Sequence, residues 1–185
     1  MRPVICKVCG EKFVKQRIGQ KTCSVKCAIE YAKKDTEKKV KAAARLDRKI
    51  TKEMLKTRQD WIREAQTVCN AYIRLRDADL PCISCGRHHQ GQYHAGHYRT
   101  TKAAPELRFH QFNNNKQCAP CNNHLSGNIT EYRINLVKKI GVENVEWLEG
   151  PHQPQKYTIN DLQEIIIYYR EQIKYLKESH GSECC

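Results

Sequence analysis

Eight cysteines stand in four close pairs, and nothing else in the sequence constrains the fold as strongly. CKVCG holds Cys6 and Cys9, CSVKC holds Cys23 and Cys27, CISCG holds Cys82 and Cys85, and CAPC holds Cys118 and Cys121. A spacer of two or three residues lets both thiolates of a pair reach one ion at about 2.3 Å, and two such pairs complete a tetrahedron. The first two pairs and the last two therefore make two four-cysteine sites, each expected to hold a structural Zn2+. Gly10 and Gly86 follow the second cysteine of CKVC and CISC and supply the left-handed residue that turns backbone amides toward sulfur. A site closed by four sulfurs offers no open position to a substrate, so neither tetrad is expected to be catalytic.

The chain has 11 cysteines, an odd number for a disulfide framework. Its first residues, MRPVICKVCGEKF, lack the apolar stretch of a secretory signal, and no apolar run approaches the roughly 20 residues that span a bilayer. The expectation is a cytoplasmic protein in a reducing compartment, with no membrane and with metal ligation as the use of the paired thiols. Cys69 falls on the apolar stripe of a predicted helix and is read as a small buried hydrophobe. Cys184 and Cys185 take no assigned role.

Lys and Arg number 33 against 20 Asp and Glu, a formal charge of +13. A zinc ion with four thiolates carries about −2, so two of them leave a working charge of about +9. That excess points to a polyanionic partner, and nucleic acid is the commonest. Residues 28–79 contain neither Pro nor Gly, the condition for continuous helix. Between Lys33 and Arg58 the segment has eleven basic and four acidic residues, which predicts a solvated arm with little apolar stripe, with Lys38, Lys41, Arg45 and Lys49 as candidate phosphate contacts. From Trp61 onward the apolar residues recur at steps of three and four through Ala65, Val68, Tyr72 and Leu75, which predicts a packed helix ending before Pro81.

QYHAGHY reads as a short strand and turn. Two helices are predicted before Gly141 and before Gly150, and a last one starts at Thr158, capped by Asp161, with a stripe of Leu162, Ile165, Ile166, Tyr169, Ile173 and Leu176. That stripe packs against the domain or against the Trp61 helix in the simpler reading and forms a homodimer contact in the other. The predicted segments are 1–29, an N-terminal zinc module; 30–59, the basic arm; 60–150, a core with the second zinc site; and 151–185, a linker and C-terminal helix.

Six of the eight histidines, His88, His89, His94, His97, His110 and His124, cluster around the second pair of cysteine knuckles. His88, His89 and His110 are read as surface residues. His94 and His97 lie three apart, so on a regular strand they face opposite sides and converge only if the strand bends, which Gly96 permits.

CISCG, AGHYRT, LRFHQFNNNKQC and CAPCNNHLSGN have the order of the HNH endonucleases, in which a ββα-metal hairpin lies between two zinc knuckles. More narrowly, most of the chain resembles the phage lambda NinG family, also called Rap, of recombination endonucleases. The resemblance implies an α+β, mainly helical chain whose second zinc module is a treble-clef-like HNH core. It implies His97 as the general base, Asn113 as a brace for the loop carrying it, and Asn122 as a ligand of a catalytic Mg2+ or Mn2+. His124 competes for that last role. The family's acidic ligand is missing: Gly96 precedes the base, and His94 stands three residues before it, a substitution that shifts the expectation toward Mn2+. Arg99, Lys102, Arg108 and Lys116 are the candidate phosphate contacts around the hairpin. The implied function is cleavage of branched DNA, D-loops or Holliday junctions, in the host bacterial cytoplasm alongside recombination proteins. The rivals are a noncatalytic zinc protein that binds nucleic acid and, behind it, a zinc module for protein contacts.

Overall fold

The computed structural model describes residues 2–181; Cys184 and Cys185 lie outside them. The chain is a mixture of helix and sheet, 56% helical, and divides into two compact units between Lys56 and Thr57. No helix among the described residues is long and apolar enough to cross a membrane.

The first unit begins with a two-stranded hairpin, β1 (Val4–Ile5) against β2 (Lys12–Phe13). A single helix, α1 (Val25–Met54), follows. Ser24 caps it by accepting from the Cys27 backbone N–H at 3.3 Å, so the helix starts inside the first cysteine cluster. None of the 30 residues of α1 is buried.

The uninterrupted segment 28–79 is not one helix. The Thr57 hydroxyl accepts from the Asp60 N–H, and the Asp60 carboxylate accepts from the Thr57 N–H at 3.0 Å, a reciprocal capping box that starts a new helix. This second helix, α2 (Arg58–Arg76), opens the second unit. After it come β3 (Tyr93–His97) and β4 (Asn114–Cys118), antiparallel with His97 opposite Asn114 and Tyr93 opposite Cys118. A π-helical turn (Pro120–His124) and the helices α3 (Ile129–Ile140), α4 (Val142–Glu149) and α5 (Ile159–Gly181) complete the unit. Gly141 and Gly150 end α3 and α4 as read from the sequence. At the start of α5, Thr158 and Asp161 cap each other at 2.7 and 3.2 Å.

Two apolar clusters hold this unit. In one, Trp61, Ala65, Cys69, Tyr72 and Ile73 of α2 meet Leu162, Ile166 and Tyr169 of α5, with Ala95 of β3 and Phe109 below them. The α5 stripe is thus spent on α2, the simpler of its two readings, and Cys69 is buried as expected. In the other cluster, Tyr98, Ala104 and Leu107 pack on Tyr132 and Leu136 of α3 and on Val145 and Leu148 of α4. Each fully buried Leu or Ile contributes about 1.5–3 kcal/mol.

Between the clusters lies β4, whose sequence NNKQC gives no apolar pattern, yet all five residues are buried. They survive burial because their side-chain polar atoms are paired, the Asn114 Oδ1 alone among them finding no partner. Asn115 donates to Phe112 and Tyr132 and accepts from Arg76 and Lys139. Asp77 takes Arg76 on both oxygens at 2.8 Å and Lys139 at 2.8 Å, and these cations hold its carboxyl below the ordinary range against the burial that would raise it.

Candidate functional site

The two cysteine clusters repeat one local structure. In the first, the Cys6 N–H donates to the Glu11 carbonyl at 2.8 Å and the Gly10 N–H to the Cys6 carbonyl at 3.1 Å. In the second, Cys82 and Gly86 repeat both bonds, to Arg87 at 3.0 Å and to Cys82 at 2.8 Å. Gly10 and Gly86 sit at φ +79° and +66°, where a side chain would be strained. The third cysteine of each set also donates its N–H to the sulfur of the first: Cys23 to Cys6 at 3.4 Å and Cys118 to Cys82 at 3.3 Å.

All four sulfurs of each set lie within 4.8 Å of one another. Four thiols brought together with backbone N–H groups aimed at them fit Zn2+, which would bind the deprotonated sulfurs tetrahedrally. At the first cysteine of each set the backbone favours the thiolate, whereas the neighbouring thiols and burial push Cys9, Cys23, Cys118 and Cys121 the other way. The Cys9 N–H, with those of Val8 and Cys23 and against burial, holds the Cys6 thiol down at about 6. Burial alone would raise Cys82; the N–H groups of Cys118, Cys85 and Ser84 lower it instead. His89, read from sequence as a surface residue, sits with its Nε2 3.1 Å from the Cys85 sulfur, and its N–H donates to the Tyr93 hydroxyl at 2.6 Å. Its separation of four residues from Cys85 was the available signal.

His97 closes β3, half-buried. Its Nε2 lies 3.0 Å from the Arg108 carbonyl. A carbonyl only accepts, so Nε2 carries the proton and Nδ1 is the basic nitrogen of the neutral ring. Burial lowers the imidazole's affinity for a second proton, and the Arg108 carbonyl opposes this in part. The chain around it is pinned by two asparagines. Asn113, fully buried, donates to the Arg99 and Leu107 carbonyls at 3.0 and 3.1 Å and accepts from the Arg99 N–H at 2.8 Å. Asn114 donates to the Arg108 and His110 carbonyls at 3.0 and 2.9 Å.

The strand does not bend at Gly96. The ladder runs unbroken from Tyr93 to His97, with Gly96 opposite Asn115, so His94 and His97 face opposite sides. Gly96 leaves no room for a side chain, the aspartate that the resemblance would place there included. A Cβ at Gly96 would stand 1.9 Å from the Gln117 Oε1, and Gln117 is held by donating to the Ser84 hydroxyl and the Gly127 carbonyl, both at 2.6 Å. Gly96→Ala is therefore expected to destabilise the protein by about 1–3 kcal/mol, the range for overpacking a filled core. Urea denaturation at pH 7 checks this, and an unchanged midpoint would mean that Gln117 swings aside freely.

A catalytic divalent ion finds no prepared cluster. The His94 Nε2 is buried without a hydrogen-bond partner, which suits a ligand, but a single nitrogen is not a site. Asn122 is half-buried and donates to Asn123 at 2.9 Å, and His124 is exposed. Among the described residues, no group of three or more His, Cys, Asp or Glu beyond the two tetrads comes within metal-binding spacing. These residues do not fit a preformed Mg2+ or Mn2+ site.

The cationic candidates separate. Lys116 is only 6% exposed, donates to the Ala78 carbonyl at 2.6 Å and lies 4.5 Å over the Tyr93 ring, so it is a core residue and not a phosphate contact. Arg99 spends its Nη1 on the Leu148 and Gly150 carbonyls at the end of α4. Arg108 is half-buried beside Gln66. Lys102 is exposed, as are Lys38, Lys41, Arg45 and Lys49 on α1. His110, read from sequence as a surface residue, is half-buried against Trp147, with centroids 4.9 Å apart and the rings tilted by 42°.

A model of the family described as bacteriophage lambda NinG protein matches residues 2–179. "Protein ninG" of Escherichia phage 933W is 42% identical over 190 residues, covering 95% of this chain and 94% of that protein. "Protein ninG" of Escherichia phage lambda is 45% identical over 169 residues, covering 86% and 83%, and that of Salmonella phage P22 is 44% identical with the same coverage. No solved structure matches.

Proposed function

The chain belongs to the NinG family, and on that premise we propose that it is an HNH-type endonuclease that hydrolyses phosphodiester bonds in branched recombination intermediates. The observation that carries the reading is the state of His97: a neutral imidazole whose Nε2–H is tied to the Arg108 carbonyl and whose Nδ1 is left basic. Such a group takes a proton from water near neutral pH. Nδ1 would receive the proton as the water oxygen attacks phosphorus and the bond to the 3′-oxygen breaks; the departing oxygen takes a proton from solvent, leaving a 5′-phosphate and a 3′-hydroxyl. Asn113 and Asn114 position the base by holding the carbonyls on either side of it. The exposed cations of α1, together with Lys102, supply sequence-independent attraction to the backbone. The preference for a branch rests on the resemblance alone.

The test is direct. Zinc-loaded protein is incubated with end-labelled linear duplex and four-way junction in Mg2+, in Mn2+ and without an added divalent ion. The expected result is cleavage of the junction in preference to the duplex, with ends that ligase reseals. Tight binding with no product in any condition would replace this reading by a noncatalytic zinc protein that holds nucleic acid.

A further inference from the structure

Composition hides a pattern in α1. Val25, Ile29, Val40, Leu46, Ile50 and Met54 are all exposed, from 49% at Ile50 to 81% at Met54. At 3.6 residues per turn these six, with Ala32, Thr36 and Ala43, fall within one arc of about 120°. Lys34, Lys38, Lys41, Arg45, Lys49 and Lys52 occupy the opposite arc. The sequence reading of an arm with little apolar stripe is corrected here: the apolar residues are few, but they are aligned along the whole helix, about 45 Å at 1.5 Å per residue.

Two charged side chains interrupt the stripe, Lys39 and Asp47. Each stands four residues from Ala43, on opposite sides of it, and they differ in sign. We propose that the stripe is covered from Ala32 to Met54 by α1 of a second copy of the chain, running antiparallel with Ala43 on the two-fold axis, which leaves Val25 and Ile29 beyond the paired stretch. In that register each residue meets the one equally far beyond Ala43. Lys39 meets Asp47 of the second copy, and symmetry makes the contact twice. Val40 then meets Leu46, Thr36 meets Ile50 and Ala32 meets Met54. A parallel pair would set lysine against lysine and aspartate against aspartate inside an apolar seam, which disfavours it.

The ionic states agree with this pairing. The Asp47 carboxylate has no hydrogen-bond or ion-pair partner among the described residues. Lys39 holds Asp35 at 2.8 Å in a pair that is 77% and 45% exposed, which solvent screening leaves easy to give up. Ala42, Ala43 and Ala44 let the helix axes approach closely at the crossing. A lipid surface fits less well, since Asp47 lies within the arc that would enter the apolar layer. The pair leaves one cationic face outward on each side.

The zinc-loaded full chain is studied by sedimentation equilibrium, with helix content followed by far-ultraviolet circular dichroism. The wild type is expected to weigh twice 21.6 kDa. Asp47→Lys and Lys39→Asp are each expected to weaken association by roughly ten-fold or more, because two pairs become two repulsions. The double variant carrying both changes is expected to restore it. A monomeric wild type, a dimer indifferent to the single changes, or single changes that the double variant does not rescue would each overturn the proposal. So would a wild type that stays monomeric and binds anionic phosphatidylserine vesicles through α1.

Discussion

Replacing Cys82 with serine is expected to halve the zinc content, from two ions per chain to one, and to unfold the second unit while leaving the first intact. The magnitude follows from what the tetrad ties together. Cys82 lies in the knuckle after α2, Cys118 ends β4, and Cys121 sits in the π-helical turn that leads toward α3. These three are no more than 3% exposed and form a cluster of their own, apart from the two aliphatic and aromatic clusters. A structural zinc contributes on the order of 10 kcal/mol to folding, and an ordinary domain is stable by about 5–15 kcal/mol, so losing the ion consumes most or all of the margin. Serine preserves the volume but supplies no thiolate. Zinc can be counted by mass spectrometry and folding followed by circular dichroism at 25 °C. The companion change Cys9→Ser, at the exposed cysteine of the first set, should lose one ion and leave the urea midpoint of the second unit unmoved. A Cys82→Ser protein that keeps two ions, or keeps its midpoint, would refute the structural role of the second site.

What could be read from sequence in this protein was chain-local. The zinc knuckles follow from spacings of two and three residues, and the ends of α3 and α4 from Gly141 and Gly150. The cap of α5 follows from Thr158 and Asp161. The break between α1 and α2 was equally local, since Thr57 and Asp60 form the same kind of capping box, but the absence of Pro and Gly masked it. The strand β4 was not legible for a different reason. Hydrophobic periodicity detects strands by what they bury, and Asn115, Lys116 and Gln117 are buried by partners distant in sequence: Arg76, Asp77, Ser84 and Lys139. Lys116 therefore read as a surface cation, and Gly96 as a hinge, although it is the space that Gln117 fills. In the candidate site the tautomer of His97 could not be foreseen, because the carbonyl that fixes it comes from Arg108, eleven residues away on a loop without a pattern.

That carbonyl sets the second large effect. His97→Gln is expected to slow cleavage of a branched substrate by roughly 10²–10⁴-fold, the contribution of a positioned general base. Glutamine keeps an N–H that can donate to the Arg108 carbonyl, so the loop stays braced and binding of the same DNA should change little. The pH dependence separates loss of a base from loss of shape. Burial lowers the His97 pKa, so its imidazole is neutral throughout the range above the ordinary value of about 6.5, and the wild-type rate should hold level there and decline only below it. Stability has the same sign. The unfolded chain binds the proton more readily than the folded one, so the wild type loses stability relative to the glutamine variant as pH falls below about 6.5, and the difference levels off below the folded pKa. A variant that cuts at the wild-type rate would remove His97 as the base. One that cuts slowly but keeps a wild-type acid limb would leave His97 a positioning residue and move the titrating group elsewhere in the site.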